Sequence, residues 1–246
     1  MFFFKKPRPF LRDLLSEGYT DIHSHLLFGI DDGAATFEDT NFLVTSLQEF
    51  GVISFITTPH TIPGVWNNTS NDIRSRHQET KNLLAENGIN TPFKAASEYL
   101  MDDTFVKQFQ NEPLLTLKDN YVLVEMSYIN APIQLYSILF DLQVAGYKPV
   151  LAHPERYVFY HENFEEYRKL KKAGCLFQLN LLSAVGYYGE AVFQTAKKLL
   201  DAGLIDYTGS DAHHKNHIRA FGGKIGLKDS AALQEAINNN KFFSFT

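Results

Sequence analysis

The feature that most constrains the fold is a regular alternation of short apolar segments with amphipathic ones from Tyr19 onwards. Seven segments are rich in β-branched and aromatic residues, as β-strands are. The predicted strands are residues 19–25, 52–58, 93–97, 121–124, 149–152, 175–180 and 204–208. Because parallel strands are joined by long crossovers that are usually helical, this alternation predicts an α/β fold with a parallel sheet, either open or closed into a barrel.

Helical patterns lie between these strands. The predicted helices are residues 36–50, 72–87, 105–109, 133–145, 164–173, 190–202 and 230–238. Asp72 is the predicted cap of the second helix, and glycines such as Gly51 and Gly146 suit helix ends. No internal repeat or linker interrupts the pattern, so residues 19–246 are expected to form a single domain.

Residues 1–18 form an extension ahead of this pattern. Four apolar side chains there are spaced as on one face of a short helix. They are Phe10, Leu11, Leu14 and Leu15. The run Phe2–Phe4 forms an apolar group that is expected to pack on the domain or on a partner, and the sequence leaves that choice open.

Composition narrows the class of protein. The chain has 246 residues, a formal net charge of −5 and one cysteine, Cys175. The absence of a basic stripe argues against nucleic acid as the main partner. A lone cysteine allows no internal disulfide, which favours a reducing compartment. No apolar run reaches the ~18 residues of a membrane span, and the chain start lacks the charge order of a signal peptide. We therefore expect a cytoplasmic protein.

His23 and His25 are the first indication of a site. Residues two apart in a strand point to the same face, so both imidazoles are expected to point to one spot. The turn Gly29–Gly33 follows and returns a carboxylate to the same place. Imidazole and carboxylate donors suit zinc, manganese or iron. The alternative is a surface strand with two solvated histidines.

Side chains that can bind metals recur at the other predicted strand ends. They are His60, Glu98, Glu125, His153, Asp211 and His213. In a (β/α) barrel these strand ends meet at the rim where active sites are built. Histidines scattered by chance would also fall on helices and at strand starts, so the barrel and the metal site support each other.

Together these segments resemble the PHP (polymerase and histidinol phosphatase) superfamily. The chain is most similar to its manganese-dependent bacterial protein tyrosine phosphatases of capsule and exopolysaccharide operons, the CpsB/YwqE type. The matching segments are Asp21–His25, Gly29–Gly33, Thr58–His60, Glu98, Glu125, His153–Arg156 and Ser210–His213. The Gly-Ile-Asp-Asp-Gly and His-Pro-Glu-Arg segments are specific to this branch. Phe28 and His214 depart from the family pattern, and the role of His214 stays open.

This resemblance implies a distorted (β/α)7 TIM-like barrel with three divalent ions at its rim, with manganese expected first and iron or zinc as alternatives. The implied ligand sets are His23, His25, Glu98 and Asp211 for one ion, Glu98, Glu125 and His153 for the second, and Asp32, His60 and His213 for the third. Arg156 and Arg219 are fork-shaped donors suited to phosphate. We expect Arg156 and Arg219 to bind the transferred phosphoryl group; the alternative for Arg219 is a surface position on the last βα loop.

Two other phosphate chemistries do not fit the chain. A cysteine-dependent phosphatase needs an arginine six positions after its nucleophile, and Leu181 stands there relative to Cys175. Cys175 is expected to be a buried small hydrophobe. Gly222–Lys224 lacks the upstream glycine of a nucleotide-binding P-loop.

The leading hypothesis is a metal-dependent protein tyrosine phosphatase. By family resemblance its substrate is a bacterial tyrosine autokinase that controls polysaccharide export. The alternatives are a small-molecule phosphatase such as histidinol-phosphate phosphatase, and a non-catalytic metal-binding docking module. Trp66 is expected to stack on the substrate ring. Glu155 is the best spare general acid, or a residue that only orients Arg156. The oligomeric state does not follow from the sequence.

Overall fold

A computed structural model describes residues 7–15 and 18–245. Within these residues the strands are β1 Tyr19–Asp21, β2 Val52–Thr57, β3 His60–Thr61, β4 Phe93–Ala95, β5 Glu98–Leu100, β6 Tyr121–Glu125, β7 Lys148–Ala152, β8 Leu176–Asn180 and β9 Tyr207–Gly209. They form two sheets, in the orders β1-β2-β4 and β3-β5-β6-β7-β8-β9. All pairs between these strands are parallel. The predicted α/β fold with parallel sheets is confirmed.

The second and third predicted strands are each followed by a further short strand that was not predicted. The second is β2 followed by β3, with Thr58 and Pro59 between them. Proline lacks the N–H that a continuing ladder needs. The third is β4 followed by β5, so Glu98 begins a strand where we predicted that it would follow one. β3 and β5 pair with His60 opposite Glu98, which brings two predicted ligands side by side.

The first and last strands approach each other beyond their ends. Ser24 and Ala212 form a parallel bridge, and the Asp211 N–H donates to the His23 carbonyl at 2.7 Å. The hydroxyls of Tyr19 and Thr208 lie 3.0 Å apart. These contacts place the segment after β1 beside the segment after β9, so their site residues are neighbours.

The α-helices surround the sheets. They are α1 Phe37–Glu49, α2 Ser70–Glu86, α3 Asp103–Asn111, α4 Leu135–Val144, α5 Phe164–Lys172, α6 Glu190–Asp201, α7 Lys215–Phe221 and α8 Ala231–Asn239. Thr69, three residues before the predicted cap, is the N-cap of α2, and Asp72 is its capping-box partner. This assignment of Asp72 as the cap was wrong because the Thr-x-x-Asp box places the cap one turn earlier. The seven-residue α7 was not predicted, since it is too short to show a clear period.

Inside the sheets lies an apolar cluster. It contains Ile22, Ile56, Ala96, Leu117, Leu123, Val150, Ala152 and Phe243. Phe243 belongs to the C-terminal 3₁₀ helix Asn240–Phe243. The fully buried Asn240 side chain donates to the carbonyls of Thr20 and Thr208 at 2.9 and 2.8 Å and accepts from the Thr208 N–H at 3.1 Å. The C-terminal segment therefore connects β1 to β9.

The extension before β1 includes the 3₁₀ helix Leu11–Leu14. Leu11 and Leu15 are buried, and the Leu11 N–H donates to the Gly223 carbonyl at 2.9 Å. The run Phe2–Phe4 lies outside the described residues. Along residues 7–15 and 18–245, none of the helices has both the length and the apolar character needed to span a bilayer.

Candidate metal centre

His23 and His25 follow β1, which ends four residues earlier than predicted. Both side chains are fully buried. Their Nε2 atoms nevertheless point to one spot and lie 3.4 Å apart. The predicted convergence of the two imidazoles is therefore present, and Ser24 between them bridges to the segment after β9.

Glu98 lies at the centre of the inner cluster. One of its oxygens, Oε2, is 3.1 Å from His23 Nε2 and 3.2 Å from His60 Nδ1. The other, Oε1, is 3.0 Å from His153 Nε2. Asp211 Oδ1 lies 3.2 Å from His23 Nε2 and closes the cluster on the side of β9. Carboxylate oxygens and imidazole nitrogens thus alternate around a small buried volume.

Asp32 connects this cluster to the surface. Its Oδ1 lies 3.6 Å from His60 Nε2 and 3.5 Å from His213 Nε2, and its side chain is 55% exposed. Within the described part of the chain, the nine predicted ligands fall into overlapping groups whose donor atoms lie within 4.8 Å of one another. The groups are His25, Asp32, His60 and His213; His23, Glu98 and His153; His23, His25 and Asp211; and His60, Glu98 and Glu125.

Buried donor atoms without hydrogen bonds indicate that the cluster suits a cation. His60 Nδ1 and Glu125 Oε1 lie 2.9 Å apart, yet neither makes a hydrogen bond to any residue that the structure describes. An unsatisfied buried polar group typically costs about 1–3 kcal/mol. A divalent ion between such atoms would satisfy both, and imidazole with carboxylate is a suitable donor set for manganese, iron or zinc.

In three of the histidines, a hydrogen bond holds the ring nitrogen Nδ1. His23 Nδ1 donates to Gln178 Oε1 at 2.6 Å, because an amide oxygen can only accept. His25 Nδ1 bonds to Asp31 Oδ2 at 2.7 Å, and His213 Nδ1 donates to the Asp211 carbonyl at 2.8 Å. Such bonds leave Nε2 free for a ligand, and this pattern is common around protein metal sites.

Sequence reasoning missed two of these orienting residues. Gln178 is a fully buried polar side chain within an apolar strand. A glutamine among apolar residues was the signal in the sequence that could have identified it. Asp31 directly precedes Asp32, the predicted ligand, in the Gly-Ile-Asp-Asp-Gly turn. The sequence alone did not distinguish the roles of these two aspartates.

The backbone at the cluster is tightly constrained. His153 and Asp211 have φ values of +36° and +49°, in the left-handed region that side chains rarely adopt. A Cβ at Gly209 would lie 2.6 Å from the Cβ of His23, and one at Gly33 would lie 2.2 Å from the His25 carbonyl. Glycine is therefore required where these two loops approach the histidines.

Arg156 lies beside the cluster. Its Nη1 donates to Asp211 Oδ2 at 2.7 Å, and its guanidinium carbon is 4.8 and 4.3 Å from the ring centres of Tyr128 and Tyr188. It lines a cavity of about 240 Å³ together with Asp32, His60, Tyr128, His153, Tyr188, Asp211, His213, His214 and His217. A cationic fork thus faces the same space as the donor cluster.

Similarity to known proteins identifies the family of the chain. Residues 19–221 match the family described as capsular polysaccharide synthesis, CpsB/CapC. The chain belongs to the CpsB/CapC family. It is 30% identical to the tyrosine-protein phosphatase YwqE of Bacillus subtilis over 195 residues, which cover 79% of this chain and 77% of YwqE.

A second relative and a solved structure agree with this assignment. The chain is 26% identical over 200 residues to the tyrosine-protein phosphatase CpsB of Streptococcus pneumoniae, covering 79% of this chain and 82% of CpsB. A solved chain, from crystal structures of Bacillus subtilis YwqE and Streptococcus pneumoniae CpsB described as metal-dependent tyrosine phosphatases, superposes with a TM-score of 0.75 at 26% identity. The match covers 92% of this chain and 88% of that one.

Charges in this CpsB/CapC site are strongly coupled. Burial lowers the pKa of His23, but the carboxylates of Glu98 and Asp211 outweigh burial and raise it to about 10. Burial and the charge of Glu98 raise the pKa of Glu125 to about 7. Protons therefore neutralise the cluster when no cation does, so metal binding competes with protons.

Of three further predicted residues, two lie apart from the cavity. Arg219 is exposed on α7 and donates to Asn216 Oδ1 at 3.1 Å, away from the cavity lining that the described residues form. Trp66 lines a separate groove beside α3. His214, whose role the sequence left open, does line the cavity.

Glu155 and Cys175 are both buried away from this space. Glu155 is fully buried and accepts from Ser183 Oγ at 2.7 Å and from the Asn180 N–H at 3.0 Å. It therefore anchors the His-Pro-Glu-Arg turn to the end of β8. Cys175 is buried as expected, and burial raises the pKa of its thiol to about 12, which is the opposite of what a nucleophilic thiolate needs.

Proposed function

We propose that this chain hydrolyses phosphotyrosine in proteins with divalent metal ions held by the described cluster. The observation that carries the proposal is a cluster of nine side chains that could hold metal ions, five of which line the same cavity as Arg156. It is supported by membership of the CpsB/CapC family and by relatives named tyrosine-protein phosphatases.

The proposed ligands are the nine side chains predicted from sequence. We retain three ions, with manganese first and iron or zinc as alternatives, and the three ligand sets given above. His60 lies close to both the second and the third set, since its Nδ1 is near Glu98 and Glu125 while its Nε2 is near Asp32. Bound divalent ions supply a Lewis acid for phosphoryl oxygens and lower the pKa of water.

The chain's own residues bind and orient the phosphoryl group. The planar guanidinium of Arg156 carries five N–H donors, a geometry that suits two phosphoryl oxygens. Nη1 donates to Asp211 Oδ2 at 2.7 Å, which fixes the direction of the guanidinium and leaves other N–H groups for phosphate. We keep Arg219 only as a sequence prediction, because its exposed position on α7 gives it no support from the structure.

Leaving-group chemistry supports an aryl substrate. The phenol of tyrosine has a pKa of about 10, so it can depart with little protonation, whereas an aliphatic hydroxyl needs a proton donor. Glu155, the candidate donor from sequence, is fully buried against Ser183. Hydrolysis of phosphotyrosine is therefore proposed to exceed that of phosphoserine strongly.

The test is hydrolysis of p-nitrophenyl phosphate with Mn²⁺, with and without a chelator, followed by matched phosphotyrosyl and phosphoseryl peptides. We expect turnover that the chelator abolishes. We also expect kcat/KM to be at least about 10²-fold higher for the phosphotyrosyl peptide than for the phosphoseryl peptide, which is the usual scale of general-acid catalysis. No turnover with any divalent metal would favour a docking module. Preference for histidinol phosphate would favour the small-molecule alternative.

We also propose that the two parallel sheets form one distorted (β/α)7 barrel over residues 19–246, with residues 1–18 as an extension. The Ser24–Ala212 bridge and the Asn240 hydrogen bonds support this closure. A cytoplasmic location and a tyrosine autokinase substrate complete the proposal. The family's description as a capsular polysaccharide synthesis family supports a role in polysaccharide synthesis.

A further inference from the structure

Two tyrosine rings lie against Arg156. Its guanidinium carbon is 4.8 Å from the Tyr128 ring centre and 4.3 Å from that of Tyr188, within the range of cation–π attraction. The Tyr128 ring also stacks on His153 with centroids 5.6 Å apart and planes at 25°, and its hydroxyl lies 3.3 Å from His153 Nε2. Tyr128 is thus fixed between two residues of the site.

The two rings differ in what else surrounds them. The Tyr188 hydroxyl accepts from Asn180 Nδ2 at 3.0 Å, and its ring packs edge-on against Tyr187. Tyr128 lies three residues after β6 and is 47% exposed at the cavity. It is therefore more exposed than Tyr188, next to the place where a phosphoryl group would meet Arg156.

We propose that Tyr128 determines the preference of this site for aryl over alkyl phosphate esters. Its exposed ring surface packs against the ring of the leaving group while its other contacts hold it beside Arg156 and His153. This inference rests on the proposed phosphatase function. It also replaces the stacking role expected for Trp66, which lines a different groove.

The experiment measures binding, so it does not depend on turnover. Isothermal titration of the manganese-loaded protein would compare inorganic phosphate, methylphosphonate and phenylphosphonate. Wild type is expected to bind phenylphosphonate about three- to tenfold more tightly than methylphosphonate, the scale of one aromatic contact. Tyr128→Leu is expected to bring this ratio close to one and Tyr128→Phe to preserve it.

Tyr188→Leu is the matched control, since it also removes a ring from Arg156. It is expected to weaken all three ligands together and to leave the phenyl-to-methyl ratio unchanged. Tyr128→Gln provides a second ring-free variant if Tyr128→Leu fails to fold, which thermal unfolding would report.

Three results would overturn the proposal: a wild-type ratio near one, an unchanged ratio in both ring-free variants, or an equal loss for all three ligands in those variants. The last result would mean that Tyr128 acts only through Arg156. Failure of the phosphatase function itself is distinguishable, because it would appear as absent hydrolysis of p-nitrophenyl phosphate, whatever the binding ratio is.

Discussion

At the scale of single residues, the most informative pair is Arg156 and Arg219. Both were predicted to bind phosphate, but only Arg156 lines the cavity formed by the described residues. Arg156→Lys removes the planar fork and keeps the charge, so we expect kcat/KM for p-nitrophenyl phosphate to fall on the order of 10²-fold, as for loss of one transition-state donor. Arg219→Lys is the matched control, and an equal loss there would restore the role predicted from sequence.

Gln178 provides a second test at this scale. Its Oε1 accepts from His23 Nδ1 at 2.6 Å, while its Nε2 donates to the Leu179 carbonyl at 2.7 Å. Gln178→Met keeps the length of the side chain and removes the acceptor, so His23 loses its fixed orientation. We expect manganese affinity to fall about 10- to 100-fold, as for other outer-shell partners of metal ligands.

Metal titration followed by calorimetry measures this change. Gln178→Glu is the control that retains an acceptor oxygen and is expected to keep more of the affinity. If Gln178→Met bound manganese as tightly as wild type, then His23 would not depend on Gln178 for its orientation.

At the scale of elements, the C-terminal 3₁₀ helix Asn240–Phe243 connects the first and last strands. Asn240→Ala would leave three backbone groups of Thr20 and Thr208 without their side-chain partner. Because each unsatisfied buried group costs about 1–3 kcal/mol and some relaxation follows, we expect a loss of about 2–4 kcal/mol in the free energy of unfolding.

Urea denaturation of the metal-free protein would measure this loss. Asn239→Ala is the matched neighbour, since its exposed side chain makes one bond to the Asp206 carbonyl at 3.0 Å, and it is expected to lose less than about 1 kcal/mol. Equal losses in the two variants would argue against Asn240 as the connection between β1 and β9.

At the scale of the whole molecule, metal binding and stability are linked. The donors of the cluster come from strands β3, β5 and β6 and from the segments after β1, β7 and β9, so an ion would connect segments that unfolding separates. Manganese at 100 times its dissociation constant adds about 2.7 kcal/mol to the free energy of unfolding. For a chain of this size that raises Tm by roughly 5–10 °C.

Thermal unfolding with Mn²⁺, and again after adding a chelator, would check this prediction. The rise in Tm caused by Mn²⁺ should be smaller at lower pH, because protons on His23 and its neighbours compete with the ion. Mg²⁺ at the same concentration controls for ionic strength. A Tm that did not change with any divalent metal would contradict the proposed cluster.

The sequence by itself determined the order of the predicted strands and helices, the residues of the candidate cluster, and the exclusion of Cys175 as a nucleophile. These features are local, since they depend on periodicity, caps and short motifs along the chain. Even there, the sequence missed the short strands β3 and β5, because continuous apolar patterns do not show where the pairing partner changes.

Only the tertiary structure decided which side chains meet across the sheets. Gln178 reaches His23 because β8 lies beside β9, and β9 meets the segment after β1. Tyr128 rather than Trp66 borders the cavity because the loop after β6 turns toward Arg156, whereas the loop after β3 turns toward α3. Such contacts depend on strand order and loop direction, which are set by the packing of the whole chain and leave no periodic signal in the sequence.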